Sequence, residues 1–132
     1  MRKIVVLLLI SLVTLSCTKD DDSPVTANLT GEWTWVKATG GLAGDTHTPQ
    51  STGEIITLVI SNKHVARYIN GELDYDLSYT LEIKKEDGAT FSVMHIEDGQ
   101  ISKAITLLDG DALQLSDYNV ADGYRYDYVR KR

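Results

Sequence analysis

The sequence predicts an all-β protein built as an antiparallel up-and-down barrel of eight strands, closed or half-open. After residue 31, apolar and polar residues alternate with a period of two along most of the chain. Short Asn-Gly and Asp-Gly turns separate the alternating runs, and no major helix is apparent. A two-layer sandwich fits the same pattern, but a barrel is favoured because closure removes both exposed sheet edges.

The clearest strand runs from Leu73 to Ile83, where every odd position is apolar or aromatic and every even position is polar. Such alternation puts one face of a strand in a core and the other in water, whereas a helix would scatter these residues around its axis. Seven shorter runs follow the same pattern, and they are residues 32–36, 55–60, 65–69, 90–96, 101–108, 112–115 and 124–129.

Residues 38–53 form the longest connection, rich in Gly, Ser and Thr, between the first two predicted strands. Connections of this length are uncommon in compact domains and are often lids or binding loops. A flexible linker explains the composition equally well. The sequence leaves both interpretations open.

The N terminus has a different character from the rest of the chain. Arg2 and Lys3 are followed by an apolar run from Ile4 to Leu15 and by the small residue Ser16. These are the three parts of a secretory signal peptide, and the run is shorter than the roughly 20 residues of a membrane-spanning helix. We therefore predict a signal peptide over residues 1–16.

Cys17 is the single cysteine of the chain and directly follows the small residue. This arrangement resembles the signal of bacterial lipoproteins, which implies cleavage before Cys17 and acylation, including palmitate, at that residue. Acyl chains would attach the protein to a membrane, at about 0.8 kcal/mol for each buried methylene group. A blocked sulfur also avoids a lone exposed thiol in an oxidising compartment.

Residues 17–28 are polar and acidic at their start, a composition that buries too little surface to fold, so we predict an acidic flexible tether. The run Cys17-Thr18-Lys19-Asp20-Asp21 also resembles the export signal of Bacteroidota-type lipoproteins. That resemblance implies a protein anchored in the bacterial outer membrane and facing the cell exterior. A merely solvated linker is the alternative.

Residues 29–132 remain as one domain of ordinary size, large enough for a core without disulfides or metal. The net charge of the whole chain is −6, and loss of Arg2 and Lys3 with the signal peptide makes it more acidic. An acidic surface repels phosphate backbones, so nucleic acid is not an expected partner.

The first predicted strand begins with Leu29-Thr30-Gly31-Glu32-Trp33, which contains a Gly-x-Trp signature. Together with the strand pattern and the lipoprotein start, it makes residues 29–132 resemble the small lipocalin-like lipoproteins of Bacteroidota. In lipocalins this tryptophan plugs the closed barrel end, and a basic residue of the last strand covers its ring. The resemblance implies these roles for Gly31, Trp33 and either Arg130 or Arg125.

No residues have the spacing of a catalytic or metal site. The chain lacks a Gly-x-Ser-x-Gly elbow and a phosphate-binding glycine loop, and His47, His64 and His95 are too far apart for a local metal motif. We expect no enzymatic activity, metal or cofactor. Convergence of His64, His95 and a carboxylate in a deep pocket would change that expectation.

Tyrosine is abundant, with seven tyrosines and one phenylalanine. Tyr124, Tyr126 and Tyr128 share one face of the last predicted strand, and Tyr75 and Tyr79 share the apolar face of the long strand. If these faces line an interior, each buried hydroxyl needs a partner, which could be a ligand, a water or a side chain. Ordinary packing of tyrosines across strands is the alternative.

Two functions fit these observations. The first is a binding module for a small amphipathic or apolar ligand, because an eight-stranded barrel can hold one small molecule. Its mouth or interior would be lined by Trp35, Tyr75, Tyr79, Tyr126 and Tyr128. The alternative is an accessory or interaction protein of the outer membrane with a filled barrel, whose segment 38–53 and outer faces contact another protein or a glycan.

Overall fold

The computed structural model describes residues 24–132. The predicted signal peptide, Cys17 and the first part of the predicted tether lie outside these residues. Within residues 24–132, no helix is both long and apolar enough to cross a membrane. The elements are α1 Pro24–Leu29, β1 Gly31–Gly40, β2 Asp45–His47, α2 Pro49–Thr52, β3 Ile56–Ile60, β4 His64–Ile69, β5 Glu72–Glu86, β6 Ala89–Ile96, β7 Ile101–Asp109, β8 Ala112–Asp117 and β9 Tyr124–Arg130.

The strands form one closed antiparallel sheet. They pair in the order β1-β3-β4-β5-β6-β7-β8-β9, and β9 pairs back with β1, while the short β2 adds to the edge of β1 beyond β3. The predicted all-β, lipocalin-like up-and-down barrel of eight strands is therefore confirmed in its closed form. We call the barrel end that carries α1 the α1 end, and the opposite end, with residues 41–55, the loop end.

Beta-bulges decide which side chains face inward. In the pairing of β1 with β9, Trp35 lies opposite Tyr128 and Lys37 opposite Asp127, so Val36 has no partner. The extra residue shifts the alternation by one position, which buries Ala38 instead of Lys37 and leaves Val36 exposed. A strict period of two would have placed a lysine in the core at this point.

The segment 38–53 is neither a plain lid nor a linker, because it contains β2 and α2. Helix α2 has a capping box, in which the backbone N–H of Ser51 donates to Thr48 Oγ1 at 3.1 Å and the backbone N–H of Thr48 donates to Ser51 Oγ at 2.9 Å. Pro49 begins the helix, and Gly53 ends it in the left-handed conformation at φ +72°. The segment is thus a structured extension of β1.

Helix α1 plugs the α1 end. It covers residues 24–28, which the sequence had assigned to the tether, and its Leu29 is fully buried together with Trp33. The indole N–H of Trp33 donates to the carbonyl of Leu29 at 2.8 Å. Large apolar side chains of neighbouring strands, including Ile60 and Val65, fill the interior beside this plug.

Arg130, rather than Arg125, is the basic residue that lies over Trp33. Its Cζ is 4.2 Å from the centroid of the indole ring, and its guanidinium donates to the carbonyls of Thr30 at 2.9 Å and Asn28 at 2.6 Å. Gly31 has φ +145°, and a Cβ there would overlap this guanidinium. The glycine of the Gly-x-Trp signature therefore makes room for the arginine that covers the tryptophan.

Replacing Arg130 by alanine removes the cation from the indole face and the hydrogen bonds to the carbonyls of Asn28, in α1, and of Thr30, just after it. We expect the free energy of unfolding to fall by about 2 kcal/mol, measured by urea denaturation followed by circular dichroism. Arg132→Ala is the matched control, because the Arg132 side chain is 78% exposed and its ion pair with Asp111 is a surface contact. That control should change stability by less than about 0.5 kcal/mol. Equal losses in both variants would contradict a special role for Arg130.

Candidate functional site

A pocket of about 330 Å³ lies at the loop end of the barrel. This volume is at the small end of the range of about 300–1,000 Å³ typical of ligand pockets. The wall is formed by β1, β3, β4 and β9, and the rim by the segment from β2 to the start of β3. The lining residues are Trp35, Ala38, His47, Thr52, Glu54, Ile56, Arg67, Tyr124, Tyr126 and Tyr128.

The aromatic wall is positioned by the pairing of the first and last strands. Trp35 lies opposite Tyr128, and Ala38 lies opposite Tyr126. The bulge at Val36 keeps both pairs on the inner face although they are three residues apart on β1. The first and last strands therefore supply the rings together, and neither strand forms this wall alone.

A second bulge gives Arg67 its surroundings. In the pairing of β4 with β5, Arg67 lies opposite Tyr75 and Tyr68 lies opposite Leu73, so Asp74 is the extra residue. The guanidinium Cζ is 5.8 Å from the Tyr75 ring centroid, and Nε is 3.3 Å from Asp74 Oδ2. This ion pair lacks hydrogen-bond geometry, and within residues 24–132 the buried Nε has no hydrogen-bond partner.

Trp35 supplies a second unused donor. The residue is only 4% exposed, and its buried Nε1 has no hydrogen-bond acceptor in the described part of the chain. An indole nitrogen can only donate, and an unsatisfied buried donor costs about 1–3 kcal/mol. Trp33 shows the contrast, because its indole N–H is satisfied by the carbonyl of Leu29.

Tyr126 and Tyr128 are held in their neutral form. Burial is the main cause that raises the pKa of Tyr128, with a smaller contribution from Tyr75 and an opposing one from Arg67. Burial also raises the pKa of Tyr126, and Asp117 adds to that effect. Both phenols therefore keep their protons at physiological pH and can donate hydrogen bonds.

A charged pair on the inner face supports the rings of the last strand. Lys103 on β7 lies opposite Asp117 on β8, and the two side chains form a short ion pair. Lys103 Nζ also lies 4.4 Å from the Tyr126 ring centroid, and Asp117 Oδ2 accepts the backbone N–H of Tyr124 at 2.9 Å. The pair thus fixes both the ring of Tyr126 and the start of β9.

The five residues predicted to line the interior do not form one set. Trp35, Tyr126 and Tyr128 line the loop-end pocket, and Tyr75 adjoins it through Arg67. Tyr79 lies elsewhere, because it begins the half of β5 that pairs with β6.

The hydroxyl of Tyr79 donates to the carbonyl of Ser61 at 2.5 Å. Its ring lines a second pocket of about 600 Å³ beside α1, together with Val25, Leu81 and Ile83. Although this pocket is larger, the unused buried donors belong to side chains of the loop-end pocket.

The predicted lining omitted Glu54, Arg67, Lys103 and Asp117, whereas Tyr124 had been placed with Tyr126 and Tyr128 on one face of the last strand. Lys103 had a usable signal, because it alternates with Ile101 and Ile105 in a predicted strand. Asp117 lies beyond the predicted run 112–115. Arg67 had the same signal as Lys103, because it alternates with Val65 and Ile69. Its contacts with Asp74 and Tyr75 had none, because they depend on the bulge in the partner strand.

The histidines lie apart from both pockets or at a rim. His64 Nδ1 is 3.3 Å from Asp76 Oδ1 on the outer face, and His47 packs near Tyr124 at the rim of the loop-end pocket. Across residues 24–132, no three His, Cys, Asp or Glu side chains are close enough together to hold a metal ion.

His95 lies between a hydroxyl and a carboxylate. Its Nδ1 is 2.9 Å from Ser102 Oγ, and its Nε2 is 2.6 Å from Glu82 Oε2. Ser102, His95 and Glu82 thus follow the order of nucleophile, base and acid in a catalytic triad. However, Glu82 and His95 point away from the interior, and none of the three residues lines the loop-end pocket or the pocket beside α1.

The fold and the pocket define a closed up-and-down β-barrel with an aromatic pocket at one end. No family model matches the chain, and no curated protein matches it. Among solved structures, the chain is similar to a de novo designed fluorescence-activating β-barrel, at 10% sequence identity and a TM-score of 0.43. The match covers 83% of this chain and 100% of the designed one. A likeness of this size carries no conclusion about function.

Because the pKa of Tyr128 is raised above its ordinary value of 10.0, the folded protein keeps this proton at a pH at which the unfolded chain releases it. Stability should be unaffected by this group below about pH 10 and then fall as the pH rises, by up to about 1.4 kcal/mol per pH unit. Tyr128→Phe should remove this part of the slope. Urea unfolding between about pH 8 and 11 measures it, and tyrosinate absorbance checks the assignment. An unchanged alkaline slope in the variant would refute it.

Proposed function

We propose that this protein is a non-enzymatic binding module that holds a small amphipathic or apolar ligand in the loop-end pocket. The observation that carries the proposal is a pocket of about 330 Å³ walled by the rings of Trp35, Tyr126 and Tyr128. Apolar ligand surface would pack on these rings, and a polar group would meet Arg67.

The absence of an enzymatic activity is part of the proposal. The Ser102, His95 and Glu82 side chains have hydrogen-bond distances suited to proton transfer, but they lie outside both pockets. Acid–base groups need a bound and oriented substrate to be effective, and none of these three side chains lines the loop-end pocket or the pocket beside α1.

The full-length protein purified gently from its own host should carry a small molecule. Native mass spectrometry is expected to show extra mass that disappears on denaturation, and organic extraction should identify the compound. Thr52→Trp places a bulky ring at the pocket rim and should remove the extra mass. Thr46→Trp is the matched control, because Thr46 is exposed on β2 and does not line the pocket.

A bare mass for the wild-type protein would contradict the binding function and favour the interaction protein instead. Extra mass retained in Thr52→Trp would show that the ligand is bound elsewhere, and the second pocket beside α1 would then be the site to test.

Exposed apolar side chains favour the alternative function, that of an interaction protein. Four of the nine exposed large apolar side chains among residues 24–132 lie around the loop end, namely Leu42 at 90%, Ile55 at 60%, Leu73 at 58% and Val120 at 58%. A group of exposed apolar side chains is typical of a contact surface. In this alternative the protein is an accessory protein of the outer membrane, and this rim contacts another envelope protein or a glycan.

We also propose that Cys17 is acylated and anchors the protein in the bacterial outer membrane, facing the cell exterior. The support is the basic, apolar and small residues that precede Cys17 and the acidic run that follows it. The tether would join the barrel at α1, so the pocket would lie at the end remote from the attachment. The acidic net charge argues against nucleic acid as a partner.

Cys17→Ser should abolish incorporation of labelled palmitate and release the protein from the membrane fraction, because the thiol that accepts the lipid is gone. Thr18→Ser is the control and should label like the wild type. Undiminished labelling of the Cys17→Ser protein would contradict the anchor.

A further inference from the structure

The unused donors and the charges of the loop-end pocket point to one class of ligand. We propose that this pocket binds a small organic acid with an aromatic or short apolar body, whose carboxylate accepts hydrogen bonds from the Trp35 indole and the Arg67 guanidinium. This inference rests on the proposed binding function and specifies the chemistry of its ligand.

Two buried donors of the pocket lack acceptors. Trp35 Nε1 and Arg67 Nε are both buried, and neither has a hydrogen-bond partner among residues 24–132. Both side chains line the pocket, and neither can act as an acceptor. The missing group must therefore be an acceptor, and a carboxylate has two oxygens to serve two donors. An ammonium group would add a further donor and leave both unsatisfied.

The positive charge of Arg67 favours an anionic ligand. Among the pocket-lining residues, Arg67 carries a positive charge and Glu54 a negative one. Asp74 Oδ2 lies 3.3 Å from Arg67 Nε but accepts no hydrogen bond from it, so a ligand carboxylate could take this donor while Asp74 keeps its ion pair with the guanidinium. The nearby Lys103 is already neutralised by Asp117. Arg67 is thus the cation in this pocket that a ligand anion can reach.

The pocket volume and its aromatic walls indicate the size and character of the ligand body. About 330 Å³ corresponds to roughly eleven water molecules in liquid, which suits a body of one aromatic ring with a short chain. Tyr126, Tyr128 and Ile56 offer ring faces and apolar surface to that body. Burial raises the pKa of both tyrosines, so no phenolate there repels the anion.

Three probes with one skeleton and different head groups test this class: 3-phenylpropionate, 3-phenylpropionamide and 3-phenylpropylamine. They are negative, neutral and positive at neutral pH, with the same ring and chain. Calorimetric titration of the full-length protein in detergent should show the acid binding at least about tenfold more tightly than the amide, because charge-assisted hydrogen bonds are the stronger ones. The amine should show no measurable binding.

Substitutions test which residues cause the preference for the acid over the amide. Arg67→Gln should weaken acid binding about tenfold and abolish the preference for acid over amide. Trp35→Phe keeps a ring but loses the N–H, and should weaken acid binding roughly fivefold. Glu54→Gln removes a like charge and should strengthen acid binding about twofold. Arg125→Gln is the matched control, since Arg125 is exposed and lines no part of the pocket, and it should leave all affinities unchanged. Circular dichroism checks that each variant is folded.

Equal or tighter binding of the amide or the amine would overturn the inference, as would an acid preference that survives Arg67→Gln. If such binding is blocked by Thr52→Trp, the pocket still binds ligands and only the acid class is wrong. Failure of all three probes to bind would also overturn the acid class. The proposed function is judged independently, because native mass spectrometry uses none of these probes.

Discussion

The pairing of β1 with β9 closes the barrel, and the cation of Arg130 over the ring of Trp33 stabilises that pairing at its α1 end. Trp33 lies on the first strand and Arg130 on the last, so the contact spans nearly the whole domain. Bringing such distant segments together costs chain entropy, which the stacked cation, the buried indole and the hydrogen bonds to the carbonyls of Asn28 and Thr30 offset. The same contact explains Gly31, whose missing side chain leaves space for the guanidinium.

The two ends of the barrel interior differ in polarity. Next to α1 the interior is apolar and buried, with Trp33, Ile60 and Val65 at almost no exposure. At the loop end the inner face instead carries Arg67, an ion pair and several tyrosines. Buried donors without acceptors reduce stability, and proteins commonly accept such losses at functional sites. The barrel therefore combines a stabilising plug at one end with a pocket whose two buried donors have no acceptor among residues 24–132.

The two proposed functions use the same end of the barrel in different ways. A small acid would occupy the pocket behind the segment that carries β2 and α2. A protein or glycan partner would instead cover the exposed apolar side chains of Leu42, Ile55, Leu73 and Val120. An anchor at Cys17 would join the barrel through α1 and so leave this end accessible in either case.

The sequence by itself predicted most of the strands, their turns and an up-and-down barrel, closed or half-open, because alternation of apolar and polar residues is a local property of each strand. The pairing of β1 with β9 decided that the barrel is closed. The sequence also indicated Trp33 and a basic partner on the last strand. Only the tertiary structure decided that Arg130 is that partner, that Arg67 faces the pocket and that Tyr79 lies in the pocket beside α1. It also decided that residues 38–53 form β2 and α2, and that residues 24–28 belong to a helix. The physical reason is that bulges and strand register arise from pairing between distant segments, so a one-residue shift at Val36 or Asp74 reassigns inner and outer faces without any local signal.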